Sequence, residues 1–145
     1  MSRLACSAVG CRFVHWDNPI PVIAGVVRWR DHYVLARNTN WPLGVFSMIT
    51  GFLERNEVPE QALRREIKEE LGLRLEASSF IGHYALPQAN QLIVAFHAEA
   101  DGELVAGSDI VEAKTLTKEA LLKYDFGPLG LTARIVRDAA PMILA

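Results

Sequence analysis

The stretch GFLERNEVPEQALRREIKEELGL, residues 51–73, decides how the rest of the chain is interpreted. Its second half predicts a helix, because Pro59 suits a first helical turn and Gly72 suits a left-handed residue just beyond the last turn. Between these two residues an apolar side chain recurs at every fourth position, at Leu63, Ile67 and Leu71. This stripe predicts that one face of the helix is buried against a sheet.

The same helix carries three glutamates that converge in space. Glu66 and Glu70 are one turn apart, and Glu69 lies three residues after Glu66. Like charges at these spacings destabilise a helix by roughly a few tenths of a kcal/mol per pair, so we expect a cation nearby. Carboxylate oxygens are hard ligands, which suit Mg²⁺ or Mn²⁺ better than zinc. The alternative is a solvated acidic face, which is common for charged residues.

Two residues near the glutamates are candidate partners for them. Arg65 lies four residues before Glu69 and within reach of Glu57, so it could hold these carboxylates in orientation. Glu57 belongs to the loop before the helix and is itself a further candidate metal ligand.

The whole segment resembles the signature box of the Nudix hydrolases. Every fixed position of that box is present, at Gly51, Glu57, Arg65, Glu66, Glu69, Glu70 and Gly72. The resemblance implies an α/β chain with the Nudix fold, an α/β/α sandwich around a mixed β-sheet. The metal ligands that it implies for Mg²⁺ or Mn²⁺ are Glu66, Glu69, Glu70, Glu57 and Gly51. The catalytic residues that it implies on the helix are Glu69, Glu66 and Arg65.

Length and composition fit one globular domain. The chain has 145 residues, of which 50% are hydrophobic and 22% are charged. A formal net charge of −2 argues against general nucleic-acid binding, so we expect no nucleic-acid partner. Neither a signal peptide nor a membrane-spanning run is visible, so we expect a cytoplasmic enzyme with no membrane partner.

Residues 1–18 contain the only two cysteines, Cys6 and Cys11, with His15 four residues later. Reduced thiols of a cytosolic chain are the simpler interpretation, because a closed structural zinc site needs four ligands. Residues 11–19, however, resemble the exit from the zinc ribbon that precedes the Nudix domain in NADH pyrophosphatases. The first half of that ribbon is absent, so we interpret residues 1–18 as a remnant of it, with Cys6 and Cys11 as candidate Zn²⁺ ligands across a homodimer. Residues 19–145 are then the Nudix hydrolase domain.

The strands follow from apolar runs between turn residues. Residues 22–27 predict a central strand buried on both faces, and residues 33–37 predict its hairpin partner. After the helix, residues 73–86 and 91–100 predict two mostly buried strands joined by a loop at 87–90.

The last third of the chain predicts one more loop and two helices. Residues 108–112, which include Asp109 and Glu112, predict an acidic loop before the final strand. Thr117 is the predicted cap of a short helix, and residues 130–144 predict a terminal amphipathic helix interrupted near Pro141. By resemblance, an acid in this loop assists the metal site or acts as the base. Glu112 is our candidate, and the alternative is that it is an exposed loop acid without a role in the site.

Four residues are candidates for substrate binding. Trp41, beside Pro42 in a polar loop, is a candidate stacking platform for a base, with packing on its own domain as the alternative. Pro87 and Gln88 fall where NADH-cleaving relatives carry a longer signature, and Tyr84 lies just before them.

The reaction that we expect is metal-dependent hydrolysis of the diphosphate bond in a nucleoside diphosphate linked to another moiety, releasing a nucleoside monophosphate. NADH or NAD and ADP-ribose are rival substrates, and oxidised nucleoside triphosphates are a third. The alternative from another class is a Nudix module that binds a nucleotide without cleaving it. Retention of all three helix glutamates favours catalysis.

Overall fold

The computed structural model describes all residues, 1–145, in eight strands and four α-helices. The strands are β1 (Leu4–Ala5), β2 (Val14–His15), β3 (Ile20–Trp29), β4 (His32–Asn38), β5 (Ile49–Phe52), β6 (Arg74–Leu86), β7 (Gln91–Asp101) and β8 (Ile110–Leu116). The helices are α1 (Pro59–Leu71), α2 (Lys118–Leu122), α3 (Gly130–Asp138) and α4 (Ala140–Ile143). A 3₁₀ turn, Pro87–Ala89, joins β6 to β7.

Six strands form one mixed sheet around β3. The strand order is β6-β7-β3-β4-β8, and β5 also pairs with β3. β3 runs parallel to β7 along its whole length. Its other edge is divided, because residues 22–25 pair with β5 and residues 27–29 pair with β4. β5 also contacts α1, which brings the start of the box next to the box helix.

Both faces of the sheet are covered by helices. Alternate residues of β3 point to opposite faces, so Val22, Ala24 and Val26 join a core with α2, α3 and α4. Ile23 and Val27 join a second core with α1. The predicted α/β/α sandwich around a mixed sheet is confirmed, and so is the central strand.

Helix α1 has the predicted ends and the predicted buried stripe. Leu63, Ile67 and Leu71 are fully buried, and Gly72 ends the helix with a φ of 69°. The helix packs directly on β3, because a Cβ at Gly25 would lie only 2.8 Å from Leu63 Cδ1.

The expectation that β6 is mostly buried is wrong. Only Leu75 and Tyr84 are buried along this strand, because β6 is the edge strand and β7 alone pairs with it. β7, between β6 and β3, is mostly buried as expected.

The first 18 residues carry a separate two-stranded sheet, β1 with β2. Cys6 and Cys11 are free, exposed thiols, and a hydrogen bond with Cys11 lowers the pKa of Cys6. No group of three or more His, Cys, Asp and Glu side chains forms a metal-binding arrangement around them. The zinc site, the homodimer and the division at residue 18 remain predictions.

None of the helices combines the length and the apolar composition that crossing a lipid bilayer requires.

Candidate active site

Arg65, in the middle of α1, is the centre of an ion-pair network. Its Nε donates to Glu57 Oε2 at 2.8 Å, and its Nη1 donates to Glu66 Oε1 at 2.7 Å and to Glu69 Oε2 at 3.2 Å. Its Nη2 donates to the Phe52 carbonyl at 2.9 Å, which ties the helix to the end of β5. These bonds, the one to Glu57 first, hold the pKa of Arg65 above its ordinary value. Arg65 thus lies where the sequence predicted an orienting partner.

Glu57 is held by this arginine rather than turned towards the glutamates. Both of its oxygens accept from Arg65, and Oε1 also accepts from the Glu54 backbone N–H at 2.8 Å. The Arg65 guanidinium, followed by that N–H, lowers the pKa of Glu57. This geometry favours a role for Glu57 in orienting Arg65. It does not favour Glu57 as a direct metal ligand.

The three helix glutamates meet the loop before β8. Glu66, Glu69, Glu70, Ser108 and Asp109 line a small cavity of about 280 Å³ with no hydrophobic lining residue. Burial, and then the charges of Glu66, Asp109 and Glu69, raise the pKa of Glu70 to about 8. Arg65 pairs with Glu54, Glu57, Glu66 and Glu69 but not with Glu70. Of the four carboxylates that line this cavity, Glu70 and Asp109 therefore form no ion pair with a basic side chain.

This donor set fits a divalent cation. Four carboxylates around a polar cavity are the hard oxygen ligands that Mg²⁺ and Mn²⁺ prefer. In this conformation no three acidic side chains form a ready metal-binding group, since Arg65 holds one oxygen each of Glu66 and Glu69. The side chain of Glu69 is 58% exposed. The residues that would hold the ion are Glu66, Glu69, Glu70 and Asp109.

A larger cavity of about 630 Å³ opens beside the carboxylates. Glu66, Glu70 and Asp109 line one part of it, and Trp41 and Gln88 also line it. The remaining walls are apolar side chains and neutral polar groups, most of them from β3, β5, β7, the segment between β4 and β5, and the start of α3. A space of this size and character suits a drug-sized ligand with one polar end at the carboxylates.

Two predicted substrate residues do not line this cavity. Tyr84 is 5% exposed, and its hydroxyl donates to Asp138 Oδ2 at 2.7 Å, on the side of the sheet that α3 covers. Pro87 begins the 3₁₀ turn that carries Gln88 to the cavity. The structure therefore brings Trp41 and Gln88 to the carboxylates but not Tyr84 or Pro87.

Glu112 lies in β8, so the prediction that it belongs to a loop is wrong. Strand β8 begins at Ile110, because its pairing with β4 extends past Glu112. Arg37 Nε and Nη2 both donate to Glu112 Oε1, at 3.1 and 2.9 Å. Glu112 lines neither cavity, and Asp109 is the acid of this loop that faces the glutamates.

The family model of the NUDIX domain matches residues 19–134. The chain belongs to the NUDIX domain family. It is similar to the NAD-capped RNA hydrolase NudC of Citrobacter koseri, with 31% identity over 140 residues that cover 93% of this chain and 53% of that protein. It is 33% identical over 141 residues to the protein of that name from Klebsiella pneumoniae, with the same coverage. The chain spans about half the length of these curated relatives.

Solved structures of NUDIX proteins share the fold of the chain. A NUDIX hydrolase from Nitrosomonas europaea superposes with a TM-score of 0.78 at 22% identity, covering 96% of this chain and 78% of that one. A MutT structure from a study of Aliivibrio salmonicida and Vibrio cholerae gives a TM-score of 0.71 at 17% identity, covering 86% and 99%. At these identities the likeness shows the fold alone, and the predicted NUDIX fold and family are confirmed.

The sequence alone did not predict the neutral polar groups that line the larger cavity beside Trp41 and Gln88. These polar groups belong to segments that are far apart in the sequence, and they are Asn38, Asn40, Ser47, Gln91 and Thr132. Ser47 is 3% exposed, and its hydroxyl is bonded to that of Thr132 at 3.0 Å across 85 residues of sequence. No local pattern marks such pairs. Asp109 was visible within the acidic loop, but choosing it over Glu112 requires knowing where β8 begins.

Proposed function

We propose that this chain hydrolyses the diphosphate bond of a nucleoside diphosphate linked to another moiety, with NADH, NAD and ADP-ribose as the leading substrates. The products are a nucleoside monophosphate and a second phosphate monoester. The observation that carries the proposal is the opening of the box carboxylates onto the 630 Å³ cavity lined by Trp41 and Gln88. A diphosphate at the carboxylates leaves room in that cavity for one of the attached groups.

The relatives support this choice of substrate. The similar proteins from Citrobacter koseri and Klebsiella pneumoniae are named NAD-capped RNA hydrolases. NAD contains the diphosphate linkage that we assign to this chain. An RNA that carries NAD at its 5′ end is therefore a further substrate to test, although the net charge of −2 gives no general affinity for nucleic acid.

The side chains divide the work of hydrolysis. A bound divalent cation would neutralise the diphosphate and make the attacking water more acidic. The three helix glutamates and Asp109 would hold it, and Arg65 keeps Glu66 and Glu69 in orientation. Trp41 and Gln88 would contact the group in the cavity. Water adds to one phosphorus, the bridging P–O bond breaks, and the proton of the water passes to a carboxylate of the cluster. We assign this proton to the cluster and not to Glu112, which is paired with Arg37.

A substrate panel tests the proposal. Its members are NADH, NAD, ADP-ribose, diadenosine polyphosphates, oxidised nucleoside triphosphates and an RNA with a 5′ NAD, each with Mg²⁺ or Mn²⁺. Products are separated by chromatography, before and after chelation, with Glu69→Gln as the inactive control. We expect a loss of about 100-fold or more in that variant, because a group holding the cation stabilises the transition state by several kcal/mol.

The outcomes separate the candidates. Cleavage of NADH, NAD or ADP-ribose that disappears with chelator and returns with metal supports the proposal. Cleavage of oxidised nucleoside triphosphates alone would assign the chain to the rival enzyme class. Tight binding of one member without cleavage of any would identify a non-catalytic module.

A further inference from the structure

We propose that Glu112 is a positioning residue whose ion pair with Arg37 holds Asp109 against the glutamates of α1. The inference rests on the proposed function, because it assumes that Asp109 and these glutamates hold a divalent cation. It assigns to Glu112 an effect that passes through Asp109.

The first observation is an irregularity in the sheet next to this ion pair. Arg37 pairs with Glu112 in the ladder between β4 and β8, but the next residue, Asn38, pairs with Ile110. Val111 is thus an extra residue on β8, which makes a β-bulge. A bulge bends its strand and redirects the residues that precede it, and those residues lead to Asp109.

The second observation is that the ion pair links β4 to β8 directly beside this bulge. The Arg37 side chain is 10% exposed, and its Nε and Nη2 both donate to one oxygen of Glu112. If the ion pair breaks, the buried guanidinium keeps a charge that no carboxylate neutralises. Breaking the ion pair therefore costs free energy. The ion pair spans β4 and β8 at the last regular pair before the bulge.

The third observation is that the Asp109 loop is attached on both sides. The Thr39 N–H donates to the Asp109 carbonyl at 3.1 Å, which joins the loop to the end of β4. The Gly107 N–H donates to the Glu70 carbonyl at 2.9 Å, which joins it to the end of α1. A Cβ at Gly107 would overlap the Glu69 carbonyl oxygen, so the loop lies directly on the helix.

These contacts form a connected path from Glu112 to the cluster. The ion pair fixes the bulge, the bulge fixes where β8 begins, and the two backbone hydrogen bonds then leave Asp109 facing Glu70. Loss of the ion pair frees the β4 side of this path while the contact of Gly107 with α1 remains. Asp109 would then no longer be held at a fixed distance from the glutamates.

The test is a double-mutant cycle on metal binding. Mn²⁺ affinity is measured from the electron paramagnetic resonance signal of free Mn²⁺ for the native chain, Glu112→Gln, Asp109→Asn and the double variant. We expect Glu112→Gln to weaken Mn²⁺ binding about 10-fold, the lower range for a residue that orients a ligand. The same substitution in the Asp109→Asn background should change the affinity less than 2-fold, because Glu112 acts through Asp109.

Two further variants control for simple loss of an ion pair or of folding. Glu99→Gln removes the Arg28–Glu99 ion pair of the same sheet, away from both cavities that the carboxylates line, and should leave Mn²⁺ affinity unchanged. Glu112→Asp keeps the charge and should retain part of the affinity. If Glu112→Gln does not fold, Glu112→Asp in both backgrounds completes the cycle.

Equal loss of Mn²⁺ affinity from Glu112→Gln with and without Asp109 would overturn the proposal. Unchanged affinity in Glu112→Gln would overturn it as well. Because binding is measured without substrate, failure of every substrate in the panel would reject the proposed hydrolysis while leaving this test intact.

Discussion

A Cβ atom on Gly51 would overlap the carboxyl group of Glu66, so the end of β5 and this carboxyl occupy adjoining space that only a glycine leaves open. Gly51 pairs with Ile23 in the sheet, and Glu66 lies on α1. The side chain of Glu66 is 12% exposed and accepts from Arg65. Because Gly51 has no side chain, the carboxyl group of Glu66 can lie directly against β5.

Gly51→Ala is predicted to lower kcat about 100-fold, because the added methyl group forces Glu66 away from the place where it would hold the cation. The measurement is turnover of the best panel substrate together with Mn²⁺ affinity. Gly25→Ala is the matched control on the neighbouring strand, since its Cβ meets the end of the Leu63 side chain in the core. That control should lower the melting temperature and leave kcat of the folded protein unchanged. Equal kcat in Gly51→Ala and the native chain would contradict the prediction.

Arg65→Lys is predicted to reduce kcat by about 10- to 100-fold with little change in KM, as expected for a residue that orients metal ligands. A lysine ammonium is a point charge and does not reproduce the planar fork that contacts Glu57, Glu66 and Glu69 together. The measurement is steady-state kinetics at saturating Mg²⁺. Arg64→Lys is the control on the same helix, because Arg64 donates only to the Leu75 carbonyl. The prediction fails if both lysine variants have the same kcat.

Trp41→Ala is predicted to raise KM about 10-fold, because stacking of a base on an aromatic ring contributes about 1–3 kcal/mol. The paired variant is Tyr84→Phe, which should leave KM unchanged and lower the stability by about 1 kcal/mol through loss of its hydrogen bond to Asp138. Kinetics and thermal unfolding of both variants test the two statements. A raised KM in Tyr84→Phe would contradict this prediction and would indicate that Tyr84 contacts the substrate.

His97 is predicted to make stability fall as the pH decreases below neutral. Burial lowers the pKa of His97 from its ordinary 6.5, and Nε2 of this histidine is 2.6 Å from the hydroxyl of Tyr33. The unfolded chain therefore takes up the proton first as the pH falls through 6.5, which favours unfolding until the folded pKa is reached. Calorimetry from pH 7 to pH 5.5 should show a steeper drop in melting temperature for the native chain than for His97→Gln. Parallel curves would show that His97 does not contribute to this pH dependence.

The sequence determined the parts of this protein that depend on local pattern. Helix α1 could be predicted from the stripe of Leu63, Ile67 and Leu71 and from the glycine at position 72. Side-chain periodicity and the end of a helix both depend on residues that are close together in the sequence. The continuous apolar run at 22–27 identified the central strand for the same reason. The box motif, with its fixed spacing, identified the family. The turn of α1 also places Glu66, Glu69 and Glu70 near Arg65 without any distant contact.

Only the tertiary structure decided which distant residues join the cluster. Asp109 and not Glu112 faces the glutamates because a bulge between β4 and β8 sets where β8 begins, and strand register depends on pairing between segments far apart in sequence. Tyr84 points to Asp138 because β6 pairs with β7 in a register that no local pattern specifies. Helix geometry is thus a property of neighbouring residues, whereas the composition of the cavity follows from the order and register of the whole sheet.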